Sequence, residues 1–74
     1  MIRLILNTEF FNIECKIKHY HYNFNYKLWT LVFDNNDMFF VYDKNINNLM
    51  IMKNDKIVGY VINKTLIKYD ETEI

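Results

Sequence analysis

From Phe11 to Lys18 every odd position is apolar and every even one polar, and from Tyr20 to Tyr26 the phase reverses: Tyr20, Tyr22, Phe24 and Tyr26 alternate with the polar His21, Asn23 and Asn25. Alternation of period two marks a strand with one face buried, because successive side chains of an extended chain point to opposite sides. The reversal falls on two consecutive polar residues, Lys18 and His19. One extra residue in a β-bulge there keeps the apolar row on one side of the sheet, so a bulge near 18–19 is expected. The rest of the chain leans the same way. Ile, Val, Thr, Phe, Tyr and Trp number 31 of 74 residues, and alanine, the best helix former, is absent.

Clusters of Asn and Asp divide the chain, and such residues favour turns because their short side chains bond the nearby backbone. Asp34-Asn35-Asn36-Asp37 separates Lys27–Phe33 from Met38–Tyr42, and Lys44–Asn48 separates that strand from Leu49–Lys53. Asn54-Asp55 fits a tight hairpin into Lys56–Ile62, and Thr65–Tyr69 is a last short element. Residues 1–70 are read as a single β domain and 71–74 as a short acidic tail. The expected fold is all-β, a small barrel or strongly bent antiparallel sheet of five to seven short strands. In Lys27–Phe33 both faces are largely apolar, which predicts a central strand with Trp29 in the core. Met38–Tyr42 is apolar on both faces too, and that surplus points to homodimerisation or a partner surface.

The stretch Asn54–Leu66 resembles the end of an SH3-type barrel, bacterial SH3 domains included. In that family a hairpin leads into a Gly-aromatic-Val run, a short helical turn and a closing strand. Gly59-Tyr60-Val61 supplies the run, Ile62-Asn63-Lys64 the turn and Thr65-Leu66 the start of the last strand. Phe39–Tyr42 and Leu49–Lys53 are spaced as two earlier barrel strands. The resemblance covers about the last 35 residues. Leu49-Met50 stand where the family has paired aromatics, and Ile62 where it has a proline, so the family's proline-peptide groove is not implied. A lone glycine inside a strand, as Gly59 is, marks a bulge or a close approach of another group.

Composition excludes more than it assigns. Nine Lys and Arg against nine Asp and Glu leave no formal net charge, unlike a dedicated duplex-DNA binder or an acidic DNA mimic. Leu4-Ile5-Leu6 is too short for a secretory core of about 7–15 residues, and no run approaches the roughly 20 of a membrane span. Cys15 is alone, so no internal disulfide forms and a reducing, cytoplasmic setting is expected, without membrane partners. Ile, Asn, Lys, Tyr and Phe make up 41 of 74 residues, the bias of a very A/T-rich gene. Short proteins of that bias are common in phages and other mobile elements of low-GC hosts.

Chemistry-bearing residues are few. There is no serine for a hydroxyl triad and one glycine, too few for a phosphate-cradling loop. Cys15 alternates with Ile13 and Ile17 and should be a buried structural thiol. The carboxylates are expected in turns and in the tail, solvated. His19 and His21 share a strand face, but two ligands do not define a metal site. No cofactor, metal or enzymatic activity is expected. The densest feature is the stretch from Lys16 to Lys27, in which Tyr20, Tyr22 and Tyr26 with Lys16, Lys18, Lys27, His19 and His21 form the candidate binding set. Either the tyrosine row packs inward as core, or it stacks single-stranded nucleic acid, or another protein covers part of it. The leading expectation is a non-enzymatic inhibitor or modulator from a mobile element that occludes a surface of a host or defence protein. A single-stranded nucleic-acid or nucleotide binder is second, and a structural subunit of a larger assembly third.

Overall fold

The structure is a computed structural model that describes residues 1–70, so the acidic tail expected at 71–74 lies outside the described residues. Seven antiparallel strands form one curled sheet, a half-barrel: β1 (Ile2–Thr8), β2 (Asn12–Asn23), β3 (Leu28–Phe33), β4 (Met38–Tyr42), β5 (Ile46–Lys53), β6 (Lys56–Ile62) and β7 (Thr65–Tyr69). Their order is β4-β3-β2-β1-β5-β6-β7. Two meanders, β1–β4 and β5–β7, are thus joined where β1 pairs with β5, and a 3-10 turn, Asp43–Asn45, carries the chain from one meander to the other.

The strand at the centre of the sheet is β1, whose alternation is blurred because Ile5, on its outer face, is as apolar as Leu4 and Leu6 within. The strand expected to be central, β3, is flanked by β2 and β4 but lies second from the edge. Trp29 is fully buried there, as its faces predict. The β2–β3 register breaks between Ile17 and His19, which is the bulge that the phase reversal requires. It turns Ile17, Tyr20 and Tyr22 inward together, leaving Lys18, His19 and His21 exposed.

Local chemistry sets the turns. Asn54 and Asp55 (φ 50° and 65°), and Asn63 and Lys64 (φ 48° and 67°), are both left-handed pairs, as two-residue hairpins of right-handed twist demand. The helical turn expected at Ile62-Asn63-Lys64 is therefore a tight hairpin; the short helical element lies instead at Asp43–Asn45, and β5 begins at Ile46 inside the segment read as a loop. The β2–β3 turn is held by Asn23, whose Oδ1 accepts the Asn25 and Tyr26 N–H groups at 2.9 and 3.1 Å.

Rings fill the interior. Gly59 faces Trp29 across it, and a Cβ there would sit 3.0 Å from the indole Cη2. The glycine thus marks a close approach, and the β5–β6 register shift beside it adds a bulge. Tyr69 of β7 meets Tyr20, Tyr22, Phe24 and Trp29 with ring centroids 5.6–6.1 Å apart. Edge-to-face and tilted rings at such spacing attract one another. This cluster draws β7 onto β2 and β3, closing with side chains what no hydrogen-bond ladder between β4 and β7 closes. Phe39 meets Phe11 and Phe33 in a second cluster. Among the described residues no helix is long and apolar enough to cross a membrane.

Candidate functional site

Asp43 opens the 3-10 turn and is buried, against the expectation that every carboxylate is solvated. Its two carboxylate oxygens accept the Tyr22 hydroxyl at 2.5 Å and the Trp29 Nε1–H at 2.8 Å, and its backbone N–H donates to the Lys27 carbonyl at 3.0 Å. Burial is what holds Tyr22 protonated far above the ordinary phenol range, and the Asp43 hydrogen bond and charge add to it. Aromatic side chains with polar tips need partners when buried. In a chain without serine or glutamine, an acid on a neighbouring turn supplies both acceptors.

Around this anchor several turns meet at one end of the half-barrel. Two adjoining shallow pockets of about 360 and 300 Å³ share Lys27, Asp43 and Lys64; Tyr22, Phe24 and Leu66 line one, Tyr26, Tyr42 and Lys44 the other. A third, smaller pocket beside them brings in Phe10 and Glu9 next to Lys44 and Lys64. Phe24 and Tyr26 are 62% and 71% exposed, and the Lys44 ammonium lies 5.4 Å from the centre of the Tyr42 ring. From Trp29 through Tyr22 to Phe24 the rings run unbroken from core to surface, each pair 4.9 Å apart. Exposed aromatics and three lysines therefore share one end of a chain with no formal net charge.

The residues singled out from sequence are divided by this arrangement. Tyr20 and Tyr22 face the interior, where burial, and then Tyr69 and Asp70, push the Tyr20 phenol up. Lys16, Lys18, His19 and His21 lie on the outer face of β2, across the sheet from those rings. Lys18 donates to Asn36 Oδ1 at 2.6 Å, and His19 and His21 stand opposite Val32 and Thr30 of β3. Of the candidate set, Tyr22, Tyr26 and Lys27 reach the aromatic end, Tyr22 as a buried ring at its base and Tyr26 and Lys27 at its surface, because β2 stops at Asn23 and the row leaves the strand with it. Tyr20 and Tyr22 inside and Tyr26 outside do not form one continuous exposed row. Cys15 faces inward but is half-buried rather than buried; burial, and next the charge of Asp34, push its thiol up. Among the described residues, no three His, Cys, Asp or Glu side chains are gathered as a metal site. Asp43, Phe24, Lys44 and Lys64 were missed. The need of buried Tyr22 and Trp29 for polar partners could have pointed to Asp43, but to none of the others.

Comparison with protein-family models, with curated proteins and with solved structures returned no match.

Proposed function

We propose that this chain is a non-enzymatic, cytoplasmic binding protein that docks on another protein through its aromatic–lysine end and occludes the surface it covers. The observation that carries the reading is the gathering of Phe24, Tyr26 and Tyr42 with Lys27, Lys44 and Lys64 around the Asp43 anchor. Large rings held on tight turns lose little freedom on docking, and such anchors supply most of the affinity at interfaces. Lys27 (φ 54°) and Lys64 (φ 67°) occupy left-handed backbone, which glycine adopts without strain. Lysine at strained positions beside exposed rings fits a site selected for contact with an acidic surface. A host or defence protein is the proposed target and a mobile element the proposed source, on the strength of the A/T-rich residue bias and small size. An SH3-like assignment of the barrel belongs to the same proposal; in its favour is the small, curled, all-antiparallel sheet, while the 3-10 turn stands between β4 and β5 instead of before the closing strand.

Affinity capture should recover a stoichiometric protein with the wild type and with Lys16→Glu, on the outer face, and lose it with Phe24→Ala/Tyr26→Ala. Each anchor removed should weaken binding roughly 10- to 100-fold. No stoichiometric protein, or one indifferent to the double substitution, overturns the reading. The company of rings and lysines also favours a second reading, a single-stranded nucleic-acid site at this same end. Titration with an oligonucleotide at two salt concentrations decides it: tight binding that weakens steeply with salt supports it, and no binding at low salt ends it.

A further inference from the structure

We infer that the pocket shared by Tyr26, Tyr42, Lys27, Lys44 and Lys64 is a nucleotide site, which takes a nucleoside di- or triphosphate with its base stacked on an exposed tyrosine ring and its phosphates among the lysines. The lysines come from three separate turns: Lys27 from the β2–β3 turn, Lys44 from the 3-10 turn and Lys64 from the β6–β7 hairpin. All three line one pocket of about 300 Å³ together with both tyrosines. Lys27 and Lys64 also line the adjoining pocket of about 360 Å³.

These cations are unmatched within the chain. Among the described residues none of the three is ion-paired. Two acids stand near. Glu9 shares the small third pocket with Lys44 and Lys64, and Asp43 turns both of its oxygens to Tyr22 and Trp29. Like charges brought to one pocket repel, so the arrangement is relieved by a ligand that carries several negative charges close together. A carboxylate side chain offers a single charge, whereas a di- or triphosphate offers a cluster, and lysine binds phosphate as a point charge.

The rings choose among phosphates. Tyr26 is 71% exposed and Tyr42 44%, and the Lys44 ammonium lies 5.4 Å from the centre of the Tyr42 ring, so a cation and a stacking face are held side by side. Every base has a face that stacks on such a ring, which predicts that purine and pyrimidine nucleotides bind alike. A single strand would need cations spaced along a groove. Here they surround one pocket, of a volume at the small end of the range for small-molecule sites. The place is the one proposed above for a protein, but the inference does not rest on that reading, because the purified chain alone tests it.

Isothermal titration calorimetry of the full chain at low salt tests it with ATP, CTP, adenosine, inorganic tripolyphosphate and a single-stranded oligonucleotide. Both nucleoside triphosphates should bind in the micromolar range, and adenosine and tripolyphosphate about tenfold more weakly or worse, since each lacks one half of the ligand. Lys64→Gly should lower the ATP affinity about tenfold, and it leaves the chain folded because it relieves left-handed backbone. Tyr42→Leu should lower it about as much, with circular dichroism to verify folding. Lys16→Glu, on the outer face of β2, should leave it unchanged. No binding of ATP at millimolar concentration overturns the inference. So does tripolyphosphate that binds as tightly as ATP, which means an anion site without a base, or an oligonucleotide that binds where ATP does not. A loss with Lys16→Glu as large as with Lys64→Gly overturns it too, as attraction spread over the whole surface. Failure here leaves the capture experiment with Phe24→Ala/Tyr26→Ala standing, so the two readings fail separately.

Discussion

β4 and β7 end the same sheet, have five residues each and, among the described residues, lack a hydrogen-bonded strand on their outer sides, yet they are treated in opposite ways. β7 breaks register between Tyr60 and Val61, points Lys68 outward and turns Tyr69 into the ring cluster. At its end the Asp70 N–H bonds the Val58 carbonyl at 2.6 Å and the Asp70 carbonyl accepts the Tyr20 hydroxyl at 3.2 Å. β4 keeps a regular ladder, turns Phe39 and Val41 inward and sends the apolar Met38, Phe40 and Tyr42 outward. A bulge, a lysine and one inward ring close an edge in a sheet too small to close itself; without them β4 remains a template for another strand.

The largest effect should come from opening the closed edge. Tyr69→Ala removes the ring that joins β7 to β2 and β3, and should cost about 3 kcal/mol in urea unfolding, while Phe40→Ala on the other edge should cost the monomer less than about 1 kcal/mol. Equal costs would erase the distinction between the edges. Gly59→Ala pushes on Trp29 from the β6 side, and the indole cannot retreat while Asp43 holds its Nε1. About 1–3 kcal/mol of destabilisation is expected, read from the urea midpoint. Tyr22→Phe should cost about 1–2 kcal/mol near neutral pH by leaving one Asp43 oxygen without its donor.

The Tyr22 phenol also carries a pH dependence. Its pKa is raised on folding, so its contribution is complete below the unfolded value near 10 and is lost as pH climbs above it. The melting temperature should fall above pH 10, and in Tyr22→Phe the fall should be shallower; identical profiles would mean that other groups set the alkaline limit. The smallest effect should be a gain: Lys64→Gly relieves a left-handed lysine and should stabilise the chain by about 0.5–1 kcal/mol, while weakening the proposed partner.

Features written within one strand or one turn were legible in the sequence. The alternation of β2 with its reversal at Lys18-His19 determined both the strand and its bulge, and Asn54-Asp55 announced its hairpin. Asn63-Lys64 makes the same turn without the glycine that usually signals it, so it was mistaken for the helical turn of the SH3 resemblance. The candidate site was legible only at Tyr22, Tyr26 and Lys27. What gathers the rest is long-range: Asp43 looks like any loop carboxylate until Tyr22 and Trp29 arrive from other strands, and Lys64 reaches the site only because Asn63 and Lys64 donate their N–H groups to the Asn47 and Ile46 carbonyls of β5. The apolar surplus of Met38–Tyr42 was visible at once, but its orientation on an edge was not.

The pairing of β1 with β5 has a kinetic consequence. β1 must hold one side unpaired while three further strands and the 3-10 turn are laid down, and each partner in that ladder is distant in sequence. Loop-closure entropy is lost before those contacts form, so folding should be slow for a chain of this size. Until β5 arrives, Leu4-Ile5-Leu6 is an uncovered apolar segment, and the interval before it is covered is when this chain is most exposed to aggregation.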